Sequence, residues 1–563
     1  MTNPGASPGS QEPAGSGQGL RDGLFVGSIV LLSTILYLGK LGFYSDDWPF
    51  LATLHLSPDR SLPGLFQSLY GAPEQRMRPV MFMFLSGTYW LFGLDPLGYH
   101  VTNALILTAS ALLLHRILVE LACSRRLVLA VPLVFILLPQ YATNRFWLSA
   151  FSTNVSMAFY FLSLLFWLRM ARAGPKSVWA WLGLSLLALL GSALAYEVFL
   201  PLFLLHPVLL EVCRRRSTGS VLRPIHLRIG AGLLLSVLGL MGFFKVLTTT
   251  RQEHTHLAGQ AAWFARLLAS AVAVDYGELG VGLPRVVWKI LRDDPDPAVC
   301  AVAVAVLCLV FSYLEMGACR SDASPPGPRA SIAWIFGGVT VFFAGYAIFL
   351  FTRNAEVSAT GIGNRVSTAA TLGVALSLVG GAALIGNLLP SGRWRGRLFS
   401  FLIASLCAGG ALTINTLASF WESAYDQERA VVSEIRQRFP ALPAQTTLLL
   451  DGVCPYHGPA VVFESNWDLA GALRILYRDW SLQADVVTPN LRVTQQGIST
   501  SLYHGSLKAL YPYNDRLLIY HRNLRTSQSL PDAAAARAYF ARFNPDRDSG
   551  CPQGREGQGV PVF

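Results

Sequence analysis

The chain has 563 residues, of which 52% are hydrophobic and 14% charged, and its mean hydropathy is +0.43. Water-soluble domains carry about 25% charged residues, so this composition excludes an ordinary soluble enzyme, and also a disordered, collagen-like or coiled-coil chain. Lys and Arg exceed Asp and Glu by 11, a surplus that suits either nucleic acid or an anionic membrane.

Residues 1–22, rich in Gly, Ser, Pro and Gln, read as a disordered tail. The apolar run 24–43 has the length of a membrane-crossing helix, and no small-x-small cleavage site follows it, so it reads as an uncleaved first span. Further spans are drawn at about 97–118, 127–143, 152–168, 178–195, 197–212, 229–247, 298–317, 331–351, 367–389 and 398–417, giving about eleven in all. Arg125-Arg126, the Arg169/Arg172/Lys176 group, Arg214-Arg215-Arg216 with Arg223 and Arg228, Arg320/Arg329 and Arg393/Arg395/Arg397 then fall on one side. By the positive-inside rule that side is the cytoplasm. The amino terminus is therefore expected inside, and residues 418–563 outside. Nucleic acid drops out as an explanation of the charge.

Residues 258–283 are apolar yet contain Arg266, Asp275 and Glu278. A span there would carry both later Arg groups to the outer face, so the segment reads as an interfacial or re-entrant helix. From 418 onward the charge content is ordinary and the patterns are mixed. Strands are expected at 446–450, 460–463 and 517–520, and helices at 468–480 and 532–543. The expected architecture is a polytopic α-helical membrane protein, with a membrane domain at 23–417 whose first outer loop is 44–96, and an extracytoplasmic α/β domain at 418–563. The eight cysteines show no metal spacing. Cys454 and Cys551 fall in the outer region, where a disulfide and two separate thiols are equally open.

The first outer loop opens with Tyr44-Ser45-Asp46-Asp47-Trp48-Pro49. Two adjacent carboxylates just beyond a span are costly near lipid unless solvated, paired or functional; an interfacial cap with Trp48 in the aromatic belt is the plainer account. Neighbouring side chains diverge, so one acid suits a base while the other orients it or binds a cation. Arg76-Met77-Arg78-Pro79 follows, with Pro79 at a first helical position and an arginine suited to an anionic ligand or a lipid headgroup. Asp95-Pro96 repeats this cap-and-proline grammar, making Asp95 an N-cap. His100 and Asn103 come next near the outer end of the second span. Tyr196-Glu197 places a carboxylate between two spans, where it asks for a partner or a role. Thr352-Arg353-Asn354 and Gly361-Ile362-Gly363-Asn364-Arg365 supply two more outer-loop arginines beside glycines that permit close backbone approach. Trp467, Trp480, Tyr511 and Tyr513 suit either sugar faces or the core of the outer domain, the core being the stronger account.

Arg78-Pro79 followed by Phe92-Gly93-Leu94-Asp95-Pro96-Leu97-Gly98-Tyr99-His100-Val101-Thr102-Asn103 resembles the "RPL…FGLNPxxYHxxNxxLH" stretch of the O-mannosyltransferases with tetratricopeptide repeats and their bacterial relatives in the GT-C superfamily. The Asp46-Asp47 pair stands where those enzymes carry an acidic pair. Ser192-Ala193-Leu194-Ala195-Tyr196-Glu197-Val198-Phe199-Leu200-Pro201 is similar to their "SKE…P" segment, with Tyr in place of Lys. The resemblance covers about residues 24–212. Pro139-Gln140-Tyr141 and Asn144 replace the family's His-Pro and Glu, and no tetratricopeptide repeat is found.

What the resemblance implies is transfer of a sugar from a polyprenyl-phosphate-linked donor to an acceptor hydroxyl at the outer face. The acceptor is expected to be a glycan, lipid or protein; the expected compartment is a bacterial inner membrane, because the tail shows no eukaryotic sorting signal. Phosphate leaves without a general acid, so a single carboxylate, Asp46 or Asp47, suffices as base. Arg78, Arg353 and Arg365 are the candidate cations for the donor phosphate. His100, Asn103 and Glu197 are expected in supporting positions around the same cavity. A divalent cation, if one is used, falls to Asp46 or Asp47. A transporter or flippase of lipid-linked saccharides, and a polysaccharide ligase or polymerase, are the alternative classes.

Overall fold

The computed structural model describes all residues except 1–15, 72–76, 171, 175, 217–223, 250–256, 294, 317–324, 352–354, 489, 502–506 and 544–563. Arg76, Arg353 and Cys551 lie outside the described residues, as does most of the expected tail. Cys454 is disulfide-bonded.

The chain enters through α1 (Ser16–Leu32). The Ser33 and Thr34 hydroxyls then bond back to the carbonyls of Val30 and Leu31, and turns replace helix up to Lys40. The first loop after α1 holds α2 (Asp47–His55), α3 (Leu62–Tyr70) and α4 (Pro79–Phe92). Pro79 opens α4 as expected, with Arg78 outside helical geometry at φ −129°. Asp95 caps α5 (Pro96–Glu120) by accepting from the Leu97 N–H at 3.1 Å.

The membrane body continues through α6 (Arg125–Leu137), α7 (Phe151–Met170), α8 (Val178–Ala195), α9 (His206–Arg216), α10 (Pro224–Thr249), α11 (Leu257–Ala271), α12 (Leu283–Asp293), α13 (Pro297–Met316), α14 (Pro328–Tyr346) and α15 (Thr368–Gly386). Finally α16 (Gly392–Arg438), 47 residues or about 70 Å long, leaves the apolar body and carries the chain into the α/β region.

Among the described residues, seven helices are long and apolar enough to cross a membrane. An eighth results if α6 and the 3-10 segment Pro139–Arg145 are one span bent by 63°. The described residues thus give seven or eight such helices where about eleven spans are expected. The segment 24–43 breaks at the hydroxyl-capped end of α1. Segment 197–212 joins a 3-10 stretch, Glu197–Leu205, which follows an extended Tyr196 and contains Pro201, to the start of α9. Segment 229–247 lies within the 26-residue α10, whose apolar part includes Arg228–Phe243. The bend after α6 has a local cause, since Leu138 before Pro139 is held extended (φ −67°, ψ 139°). Segment 258–283 is α11 running into the wide π-helical turn Val272–Val281, where Asp275 is buried and accepts the Tyr346 hydroxyl at 2.6 Å. The lipid-length helices α13 and α14 leave most of their apolar surface uncovered, with Phe336 68% and Met316 69% exposed. Such surface needs lipid around it, and the chain is an integral membrane protein.

Acidic residues gather several of the basic groups that the charge sorting assigns to one side. Asp22 takes Arg125 at 2.6 Å and the Tyr313 hydroxyl at 2.8 Å, Glu120 takes Arg116, Arg169 and Arg172, and Glu315 lies near Arg126 and Arg397.

In the carboxyl-terminal region β1 (Thr447–Asp451), fully buried, runs parallel to its two neighbours. The intervening elements are β2 (Tyr456–His457), β3 (Ala460–Val461) and α17 (Asn466–Tyr477). Then come β4 (Gln483–Val486), β5 (Arg492–Val493), β6 (Gly497–Ser501), β7 (Leu507–Pro512), β8 (Leu517–His521), β9 (Thr526–Ser529) and α18 (Ala533–Arg542). The main sheet has the order β4-β1-β8-β9, with β9 antiparallel, and β5-β6-β7 form a separate antiparallel sheet. The expected strands at 446–450, 460–463 and 517–520 and both expected helices match β1, β3, β8, α17 and α18 within a few residues. Strands β2, β4 to β7 and β9 lie outside the expected set. Tyr511 belongs to the core, bonding Asp485 at 3.0 Å, whereas Trp480 is 52% exposed.

Candidate functional site

The acidic pair sits on a tight turn closed by the Asp47 N–H donating to the Tyr44 carbonyl at 2.9 Å. Ser45, buried within it, has φ +45°, a left-handed conformation that costs a non-glycine residue about 1–2 kcal/mol. Helix α2 starts at once, so the two side chains point apart.

Asp47 points inward. Its fully buried carboxylate accepts four bonds: from the N–H groups of Tyr44 (3.0 Å), Leu148 (3.3 Å) and Ser149 (2.8 Å), and from the Ser149 hydroxyl (2.6 Å). Burial pushes it up to about 7, while the bonds from Ser149 and Tyr44 pull the other way. With its lone pairs occupied, Asp47 is a fastener between the first loop and the start of α7. Of the two acids expected for a cation, if one is used, Asp47 is the one already surrounded by hydrogen-bond donors.

Asp46 is only half-buried, and its side chain makes no cap bond to α2. Burial raises it to about 6; Arg365 nearby lowers it, and Glu464 raises it. Arg365 lies in the 3-10 turn Ile362–Ser367, its guanidinium 4.6 Å from the Trp147 ring centre. The Trp147 indole N–H in turn donates to the Tyr44 carbonyl at 3.1 Å, so one tryptophan braces both the acidic turn and the arginine.

The Arg365 loop is fixed by its neighbours. Asn364 accepts from the Thr143 N–H (3.1 Å) and donates to the carbonyls of Pro139 (3.1 Å) and Ala359 (2.9 Å), and the Thr143 hydroxyl donates to the Gly361 carbonyl (2.6 Å). Gly361 has φ +73°, and a Cβ there would stand 3.2 Å from the Pro459 carbonyl oxygen. The Pro139–Arg145 segment therefore works as scaffold for Arg365.

Arg78 and Glu197 are brought to each other. The guanidinium makes two bonds to the carboxylate, at 2.9 and 3.1 Å, and lies 4.2 Å from the centre of the Tyr196 ring. This supplies the partner that Glu197 requires, and it balances the charge of Arg78. His100 is buried and its Nε2 meets the Gly42 carbonyl at 3.0 Å. Asn103 donates to the Asn144 carbonyl (2.9 Å) and accepts from Asn154 (2.8 Å). Both tie α5 to the segments flanking the site. Among the described residues, no group of three or more His, Cys, Asp or Glu is placed to hold a metal ion.

Sequence reasoning missed Trp147, Ser149 and Glu464. Ser149 and Trp147 carry no local signature. Glu464 precedes a capping box, Ser465 with Asp468, which marks the start of α17 but not its approach to the first loop.

No protein-family model matches the chain, and no curated protein matches it. Among solved structures, it is similar to ArnT from Cupriavidus metallidurans bound to undecaprenyl phosphate, at 16% identity and a TM-score of 0.34, over 84% of this chain and 86% of that one. The apo state of the same protein gives 15% identity and 0.35, over 83% and 85%. Likeness at that level transfers neither residues nor activity, and the chemistry of this chain rests on its own site.

Proposed function

We propose that this chain is a GT-C-type glycosyltransferase that moves a sugar from a polyprenyl-phosphate-linked donor to an acceptor hydroxyl, with Asp46 as general base. The supporting observation is a half-buried carboxyl, raised to about 6, that feels the Arg365 cation held on Trp147. The donor class comes from the resemblance of residues 24–212.

In this reading the acceptor oxygen attacks the anomeric carbon while its proton passes to Asp46. The bond from that carbon to the phosphate oxygen breaks, and the electron pair leaves with the phosphate. A base titrating near neutrality is ionised at working pH yet basic enough to take the proton. Arg365 faces the growing phosphate charge already in place, which lowers the barrier without reorganisation. Asp47 fixes the loop, and the Arg78–Glu197 pair ties the start of α4 to the end of α8. Arg78 thus serves the donor phosphate only secondarily, since Glu197 already balances it. The site and the α/β region belong on the outer face of a bacterial inner membrane, with the amino terminus in the cytoplasm, as the Arg distribution implies.

The test is reconstitution in lipid vesicles with polyprenyl-phosphate sugars and acceptor extract. Asp46→Asn and Arg365→Ala should lose transfer while remaining folded. Full activity in Asp46→Asn would overturn the proposal.

A further inference from the structure

Glu464 lies between β3 and α17, in the carboxyl-terminal region, yet its carboxylate reaches the acidic turn. Oε1 accepts the Ser45 hydroxyl at 2.7 Å across 419 positions of sequence. Oε2 accepts the Tyr456 hydroxyl. The Glu464 N–H donates to Asp468 at 2.7 Å, and Asp468 also accepts from the Ser465 N–H at 3.2 Å. The carboxylate is thereby fixed to the start of α17.

Helix α17 is itself seated on the first loop. A Cβ at Gly471 would stand 2.6 Å from the Trp48 carbonyl carbon and 2.7 Å from the Pro49 nitrogen, so the two backbones touch where only glycine fits. Ser45 meanwhile occupies a left-handed conformation that needs an external hold, and its side chain is placed by the bond to Glu464. That turn decides where Asp46 points.

We infer that Glu464 is a positioning residue for Asp46, so that the carboxyl-terminal α/β region forms part of the active centre. Glu464 acts in two ways. Its oxygen holds the Ser45 hydroxyl and with it the turn, and its negative charge strengthens the hold of Asp46 on a proton. The groups facing Asp46 are Arg365 from the Ile362–Ser367 turn, Glu464 ahead of α17, and Asp47 on its own helix. Glu464 is in turn faced by Tyr456 and Asp468. The inference rests on Asp46 being the base, but its test reads Asp46 directly.

The full chain in detergent is treated with a hydrophobic carbodiimide, which attacks protonated carboxyls, from pH 4.5 to 9. Modification at residue 46 is followed by peptide mass spectrometry. In the unaltered protein labelling should fall with a midpoint near 6. Glu464→Gln keeps an oxygen for Ser45 and removes the charge, so the midpoint should move to lower pH by about half a pH unit or more. Glu464→Ala, which also frees the turn, should lower transfer by about tenfold or more. A merely structural role would change the thermal midpoint of Glu464→Gln and leave the titration of residue 46 in place. An unshifted titration in folded Glu464→Gln, or no pH-dependent labelling of Asp46 in the unaltered protein, overturns the inference. Transfer surviving in Asp46→Asn overturns instead the choice of base, and the titration still reports on Glu464.

Discussion

Arg78 and Glu197, 119 positions apart, form a two-point ion pair joining the start of α4 to the end of α8. The Arg78 side chain is about one-third exposed and Glu197 less, so solvent screens the pair only in part. Removing either partner leaves the other charged in a poorly solvated place. A double-mutant cycle with Arg78→Met and Glu197→Gln should give a coupling of about 1–3 kcal/mol in thermal or denaturant unfolding. A coupling near zero would mean that the pair does not hold the loop.

The two acids of the first loop should separate cleanly. Asp46→Asn is expected to lower transfer by about 100-fold or more with little change in unfolding temperature, since its side chain makes no cap bond. Asp47→Asn turns an amide NH2 towards N–H and O–H donors that now meet a carboxylate. It should destabilise the fold by about 2–4 kcal/mol. Equal thermal effects in the two variants would contradict this division of labour.

The pH dependence follows from the charge on Asp46. The base must be ionised, and it titrates at about 6, so kcat/KM should fall as pH drops through 6. Arg365 holds that carboxyl lower than burial alone would. Arg365→Gln should therefore move the acidic limb to higher pH, besides raising KM for the donor. A limb that moves to lower pH, or stays in place, would mean that Arg365 does not act on Asp46.

The contact between α17 and the first loop is tested at Gly471. Alanine there must displace the Trp48–Pro49 backbone or α17 itself, because the obstructing atoms are main chain. Overpacking of this kind costs about 1–3 kcal/mol. Gly471→Ala should lower both the unfolding temperature and transfer, and trypsin should cut the carboxyl-terminal region faster. A neutral variant would show that the two parts are not tightly seated.

Much of the fold was legible because its signals are local. Hydropathy over about 20 residues marks the lipid-length helices, and Pro79 and Asp95-Pro96 mark where α4 and α5 begin. The helices counted among the described residues fall short of the expected spans where apolar composition continues but the backbone does not. Ser33 and Thr34 end α1, and Pro201 lies in the 3-10 stretch after Tyr196. Strands β4 to β7 and β9 are short, and their pairing depends on distant partners rather than on strong alternation.

By itself the sequence determined that this is a membrane protein with an α/β end, and that an acidic pair, a few arginines and Glu197 are unusual where they stand. Only the tertiary structure decided that Asp47 is consumed by Ser149 and its neighbours, that Glu197 belongs to Arg78, and that Asp46 feels the opposed charges of Arg365 and Glu464. The reason is physical. Hydropathy and capping are properties of adjacent residues, whereas the occupancy of a lone pair and the burial of a charge depend on whatever the fold brings within about 3–4 Å. For Asp47 that partner lies 102 positions away, and for Ser45 it lies 419.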